Sequence, residues 1–252
     1  MVPTKQILNP VVQASIAGVS TALVCVTTMI FAVYVPSTRG FFNVGETMVY
    51  IAALLFGSKI GAFAGGFGSM FADIFLGYYY YAPATLVIKA VEGAVVGFLG
   101  QKESVVVRLH TKRDWKVFTS MIGILVGALI GLIGFLYYSG IVEFYSGIQP
   151  AGPISIVNIP IGFWLGLGVF IALLIAAIGF VSEPELGWMI ISAIFGGLLM
   201  VLGYFLYQQL ILGVLAIAEV PINIGQMTIG LIIAVPIVSF VRRALPLLKT
   251  KK

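Results

Sequence analysis

The chain has 252 residues, 60% of them hydrophobic and 9% charged, with a mean hydropathy of +1.12. A helix needs roughly 20 apolar residues to cross the hydrocarbon, so this composition describes an all-α polytopic membrane bundle and excludes a sizeable soluble domain. One cysteine (Cys25) and one histidine (His110) give neither a disulfide framework nor a Cys/His metal cluster. The net charge of +5 takes its meaning from its placement.

Asn9 and Pro10 form a helix start, an N-cap followed by proline at the first helical position. The span from Pro10 to about Val35 reads as a retained helix and not a signal peptide, because a lone lysine and no small-residue cleavage site precede it. Ala14, Gly18 and Ala22 recur every four residues, a stripe that lets another helix come close, within this chain or on a partner. Asn43 and Glu46 have the offset of a capping box and are expected to start a second, short helix ending near Phe56. A third helix ends at Gly77 and carries Gly57, Gly61, Gly65 and Ser69 at four-residue steps. That many glycines cost helix stability unless close packing needs them. Asp73 continues the same face.

Four tyrosines, Tyr78 to Tyr81, lead through Ala82 and Pro83 into a fourth helix bearing Lys89 and Glu92. Charges at membrane depth are expensive, and mark either a functional site or an internal pair at (i, i+3) spacing. At about 1.5 Å of rise per residue, Asp73 lies roughly 6 Å below the end of the third helix and Lys89 roughly 9 Å below the start of the fourth. Asp73 and Glu92 are therefore both expected to hold the Lys89 ammonium. Gln101 to Lys116 is a basic loop, followed by spans over Lys116–Tyr138, Pro160–Val181, Trp188–Gln208 and Ile222–Val241, eight in all, the last with Pro236 as an expected kink.

Lys5, Lys59, the basic loop, Arg242, Arg243 and the C-terminal lysines share one set of faces, with only Arg39 opposite. By the positive-inside rule both termini are cytoplasmic, and the positive charge is a topology signal with no nucleic-acid role. The outer faces then collect Asn43, Glu46, Asp73, Tyr78, Tyr79, Tyr81, Lys89, Glu92, Tyr204, Gln208, Glu219, Asn223 and Gln226. An interfacial aromatic belt accounts for some of these tyrosines. Four in a row beside amides and charges suit a flat heterocycle. No metal site and no cofactor is expected.

The stretches FFNVGETMVYIAALLFGSKIGAFAGGFGSMFADIFLGYYYYAPATLVIKAVEG (41–93), IFGGLLMVLGYFLYQQL (194–210) and EVPINIGQMTIGLIIAVP (219–236) resemble the substrate-binding S components of energy-coupling factor (ECF) vitamin transporters. The likeness is to the branch for riboflavin or hydroxymethylpyrimidine- and pyridoxine-like vitamins. It implies a six-helix core, here residues 10–100 and 188–245, with a two-helix transmembrane hairpin inserted at about 103–187. It also implies docking of the Ala14–Gly18–Ala22 stripe on a T component, two ABC-type ATPases as motor, a cell-membrane location, and a binding subunit that topples in the bilayer to release its vitamin inside. The chain itself has no G-x-x-x-x-G-K-[ST] phosphate loop. A stand-alone carrier or channel is the alternative. An intramembrane enzyme is a more distant one, since Asp73, Lys89 and Glu92 have no nucleophile–base partner set.

Overall fold

The computed structural model describes residues 9–35, 40–102, 112–137, 139–144, 155–181 and 184–245. Arg39, His110, Ser146 and the basic residues of both termini, on which part of the topology reading rests, lie outside them. The described residues form eight α-helices: α1 Pro10–Ile30, α2 Glu46–Phe56, α3 Ser58–Phe75, α4 Ala82–Gly100, α5 Lys112–Tyr137, α6 Ile161–Val181, α7 Pro184–Leu212 and α8 Glu219–Ala244. A 3₁₀ turn, Gly213–Ala218, links α7 to α8. The chain divides into two units, one of residues 1–103 with 188–252 and the other of residues 104–187.

In the first unit α1 starts as its sequence dictates, with Asn9 Oδ1 accepting from Val11 N at 3.0 Å and Pro10 in the first turn. It stops at Ile30, five residues before the expected end. The chain then runs as β1 (Val33–Val35) and pairs antiparallel with β2 (Gly40–Phe42), Val33 opposite Phe42. Valine and aromatic side chains favour a strand over another helical turn.

The centre of the unit is α2. Its 11 residues span only about 16 Å, too little to cross a bilayer. Val49, Tyr50, Ala53 and Leu54 are wholly buried, as expected of a helix that is apolar on all sides. It packs against α1, α3, α4 and α8. Gly57, at φ +88°, turns the chain sharply into α3. At the same end Leu54 O accepts from Arg242 Nη2 at 2.7 Å, so a cation closes the C-terminus of the helix.

The glycines of α3 face its neighbours. A Cβ on Gly61 would lie 2.6 Å from Gly93 O of α4, one on Gly65 2.8 Å from Lys89 O, and one on Gly68 2.7 Å from Thr21 O of α1. These helices meet backbone to backbone, the geometry that small-residue stripes permit. Four helices, α1, α4, α7 and α8, are long and apolar enough to cross a membrane. Large apolar side chains such as Val19, Phe98, Leu202 and Phe240 are exposed on their outer sides, where a bilayer would cover them.

The second unit is a helical hairpin. α5 and α6 approach through Gly127 and Gly168, whose backbones touch. Between them β3 (Gly140–Phe144) pairs antiparallel with β4 (Ser155–Ile159). These two small hairpins are the additions to the all-α reading.

Gly61→Leu should destabilise the first unit by about 1–3 kcal/mol or more, because the added volume has only backbone to displace. Gly18 has nothing within 4 Å of the position of a Cβ, so Gly18→Leu should stay within about 0.5 kcal/mol. Thermal unfolding of the detergent-solubilised protein reads both. Equal losses would contradict the packing described.

Candidate functional site

Two helices place one charge cluster. Lys89 and Glu92 stand one turn apart on α4, and Glu46 is the first residue of α2. The Lys89 ammonium forms ion pairs with Glu46 Oε2 and, at 3.0 Å, with Glu92 Oε2. All three are buried, at 6%, 1% and 0% exposure, so each charge depends on the others for solvation. Tyr50 OH lies 3.4 Å from Glu92 Oε1, the fourth side of the cluster. Room for Glu46 comes from Gly230 of α8, where a Cβ would fall 2.7 Å from Glu46 Cβ.

Two expectations are corrected here. Glu46 does not close a capping box: Gly45 is the N-cap of α2 with no side-chain cap, and Asn43 Oδ1 accepts from Gly45 N at 2.9 Å. The Glu46 carboxylate turns inward because a buried ammonium outbids a solvated helix end for a charge. Asp73 does not hold Lys89 either, whose ion pairs are with Glu46 and Glu92. Equal depth in two helices does not fix the direction a side chain takes around each axis, and Asp73 faces the cluster across open space.

That space is an open cavity, about 520 Å³ of free space when its open mouth is included. Lys89 and Glu46 are part of its wall, with Asp73 and Ser69 of α3, Thr85 of α4, Tyr204 and Gln208 of α7, and Glu219, Asn223 and Gln226 of α8. Phe41, Asn43, Thr28 and Tyr81 complete it near the mouth. The segment after β2 is tied to α8: Gln226 Oε1 accepts from Asn43 N at 2.8 Å, and Gln226 Nε2 donates to Asn223 Oδ1 at 2.9 Å. Tyr204 OH donates to Thr85 Oγ1 at 3.1 Å, and the Tyr204 ring lies 5.9 Å from the Lys89 nitrogen. Gln208 Nε2 donates to Tyr81 OH at 3.2 Å. Burial pushes the Tyr81 phenol up to about 12, so near neutral pH it stays an uncharged hydroxyl able to donate.

The structure thus brings Asn43, Glu46, Asp73, Tyr81, Lys89, Tyr204, Gln208, Asn223 and Gln226 to one cavity. It leaves three of the expected binding residues off the wall. Glu92 stands behind Lys89, Tyr78 packs at a tilt against Phe41 with ring centroids 4.7 Å apart, and Tyr79 is 68% exposed. Ser69 and Thr85 line the cavity without having been expected there, and Glu219, expected on the same outer face, joins them. Each stands four residues before an expected one (Asp73, Lys89 and Asn223), so helical periodicity was the signal that finds them. Thr28 carried no such signal. Ala14, Gly18 and Ala22 are exposed on α1, whose opposite side, with Thr21, Val24 and Cys25, is buried. Among the described residues no group of three His, Cys, Asp or Glu side chains is placed to hold a metal ion.

Removing one member of a buried ion pair costs about 3–5 kcal/mol, and Lys89→Met should show a loss of that order in thermal unfolding. Adding Glu46→Gln and Glu92→Gln should restore most of the stability by removing the stranded carboxylates. Ligand binding, measured by titration calorimetry, should remain lost in the triple variant. Recovery of binding there would reduce the cluster to a structural device.

A chain from Pyrococcus woesei, described as an uncharacterized protein in the gap 3′ region, is 35% identical over 136 residues, covering 51% of this chain and 84% of that one. The profile of the ECF-type riboflavin transporter S component matches residues 9–179, well over half of the chain. The match runs through most of the second unit, while α7 and α8, which complete the cavity wall, lie wholly beyond it. This multi-pass membrane protein belongs to the ECF-type riboflavin transporter S component family, the substrate-binding subunits of ECF transporters.

Proposed function

We propose that this chain captures riboflavin, or a heterocyclic vitamin precursor of similar breadth, in the cavity around Lys89 and passes it inward with a T component and two ABC-type ATPases. The observation that carries the reading is the cavity itself. It combines a buried, paired ammonium with Phe41, Tyr81 and Tyr204 and with the amides of Asn43, Gln208, Asn223 and Gln226. Aromatic faces hold a flat ring, and convergent amides and hydroxyls fix its orientation. Lys89 has three N–H groups, of which Glu46 and Glu92 take two. The third is available to an acceptor on the ring.

An outward-facing cavity in the cell membrane follows from charge. The cavity opens where α3 and α7 end and α4 and α8 begin. Lys59, Lys102, Arg242 and Arg243 stand at the opposite ends of α3, α4 and α8, the side that the positive-inside rule assigns to the cytoplasm along with both termini. Docking on the T component through Ala14, Gly18 and Ala22 is supported by their exposure on a helix whose other side is buried. The hairpin of residues 104–187 is taken as an insertion into the six-helix core, a reading supported by its forming a unit of its own.

Orientation is tested by thiol labelling of intact cells, with the buried Cys25 as background. Tyr79→Cys should react with an impermeant reagent added outside and Lys59→Cys should not. The reverse pattern would put the cavity on the wrong side. Coupling is tested by uptake of labelled riboflavin into vesicles holding the full complex. Gly18→Leu should abolish uptake and leave binding by the isolated chain intact. Uptake by this chain alone would favour a stand-alone carrier instead.

A further inference from the structure

We propose that the substrate binds through hydrogen-bond donors on an uncharged or cationic molecule, that anionic forms are rejected, and that Asp73 sets this specificity. The inference rests on the capture reading above and narrows its substrate class.

Among the described residues three buried oxygens on the cavity wall have no hydrogen-bond partner: Glu46 Oε1, Asp73 Oδ2 and Gln208 Oε1. Their residues are 1%, 4% and 3% exposed. Buried polar atoms are almost always satisfied, so each of these needs a partner that is not protein. All three are acceptors. Several donors of the same wall are engaged with protein: Gln208 Nε2 with Tyr81, Gln226 Nε2 with Asn223, Tyr204 OH with Thr85, and two of the Lys89 protons with carboxylates, while the third Lys89 proton and the Tyr81 hydroxyl remain. A ligand entering this space therefore meets three unsatisfied acceptors, which donors on the ligand would satisfy.

Charge points the same way. Among the described residues Glu46, Asp73 and Glu219 line the cavity with Lys89 as the single basic one, and Glu92 stands directly behind that lysine. A phosphate or carboxylate would lose its water there to face carboxylates, a like-charge contact that discriminates strongly between partners. Of the three orphan acceptors, Asp73 alone is an acidic side chain with no ion pair to a basic side chain among the described residues, so its replacement acts most directly on whatever fills the cavity. A metal ion is a poorer fit, since no three carboxylates are placed to ligate one among the described residues.

The test is equilibrium binding to the purified full chain by titration calorimetry, with four probes. Riboflavin carries hydroxyl donors on its side chain, and lumichrome has only ring N–H. 4-Amino-5-hydroxymethyl-2-methylpyrimidine carries an amino group, and riboflavin 5′-phosphate adds an anion. At least one neutral probe should bind, and comparison of the first three identifies whether hydroxyl, ring N–H or amine is the donor. The phosphate should bind about 100-fold more weakly than riboflavin or not at all. Asp73→Asn, of equal volume, should weaken the neutral ligand about tenfold and narrow the discrimination against phosphate by about tenfold. Gln208→Glu keeps the acceptor and adds charge, and should widen it. This second variant carries the test if Asp73→Asn fails to fold. Equal affinity for riboflavin and its phosphate, or a ratio unmoved by both variants, overturns the inference and leaves vitamin capture standing. Binding of none of the four overturns both.

Discussion

An ammonium ion held between two carboxylates, out of reach of water, is the constraint on which the first unit depends. Removing three charges from solvent costs several kcal/mol each, and only near-ideal mutual placement recovers it. Lys89 therefore requires Glu92 one turn along its own helix and Glu46 from a different helix, each with little freedom. The short α2 meets that need. It is too short to serve as a span, wholly buried, and anchored at its far end by Arg242 on Leu54 O, so that its first residue delivers a carboxylate to Lys89.

Backbone proximity makes this placement possible. Gly65 lets α3 press against the carbonyl of Lys89 itself, and Gly230 lets α8 close over the Glu46 side chain. With no hydrophobic drive between helices inside a lipid phase, such contacts and the polar cluster have to supply the cohesion. The same contacts shape the cavity, because residues one turn from the packing positions, Ser69, Asp73, Thr85 and Gln226, then face inward together. On the proposed function, stability and binding share one set of side chains, so a variant of Lys89 or Glu46 tests both at once.

Much of this was legible in the sequence, and the failures have physical causes. Membrane class, eight helices, the shortness of α2 and the glycine face of α3 all follow from hydropathy and from period, which are local properties. Glu92 as a partner of Lys89 is local too. Glu46 is 43 positions from Lys89, and the capping-box spacing with Asn43 offered it a nearer role. Asp73 reaches the same cavity wall as Lys89 without forming an ion pair with it, since rise per residue says nothing about rotation of one helix against another. The tyrosine run holds a mixture that composition cannot sort. Tyr81 is buried on the wall, Tyr78 backs Phe41, and Tyr79 and Tyr80 are exposed. The hairpin of β1 and β2 was hidden because Val33–Val35 is as apolar as the helix before it.

The central claim is that the space around Lys89 is where this S component holds its substrate. An experimental structure of the chain loaded with riboflavin measures it most directly. The account predicts ring density between Phe41, Tyr81 and Tyr204, with an acceptor atom within hydrogen-bond distance of Lys89 Nζ, which keeps Glu46 and Glu92 as its partners. Density for the ligand in the hairpin of residues 104–187, or anywhere that leaves Lys89, Asp73 and Gln208 untouched, would contradict it.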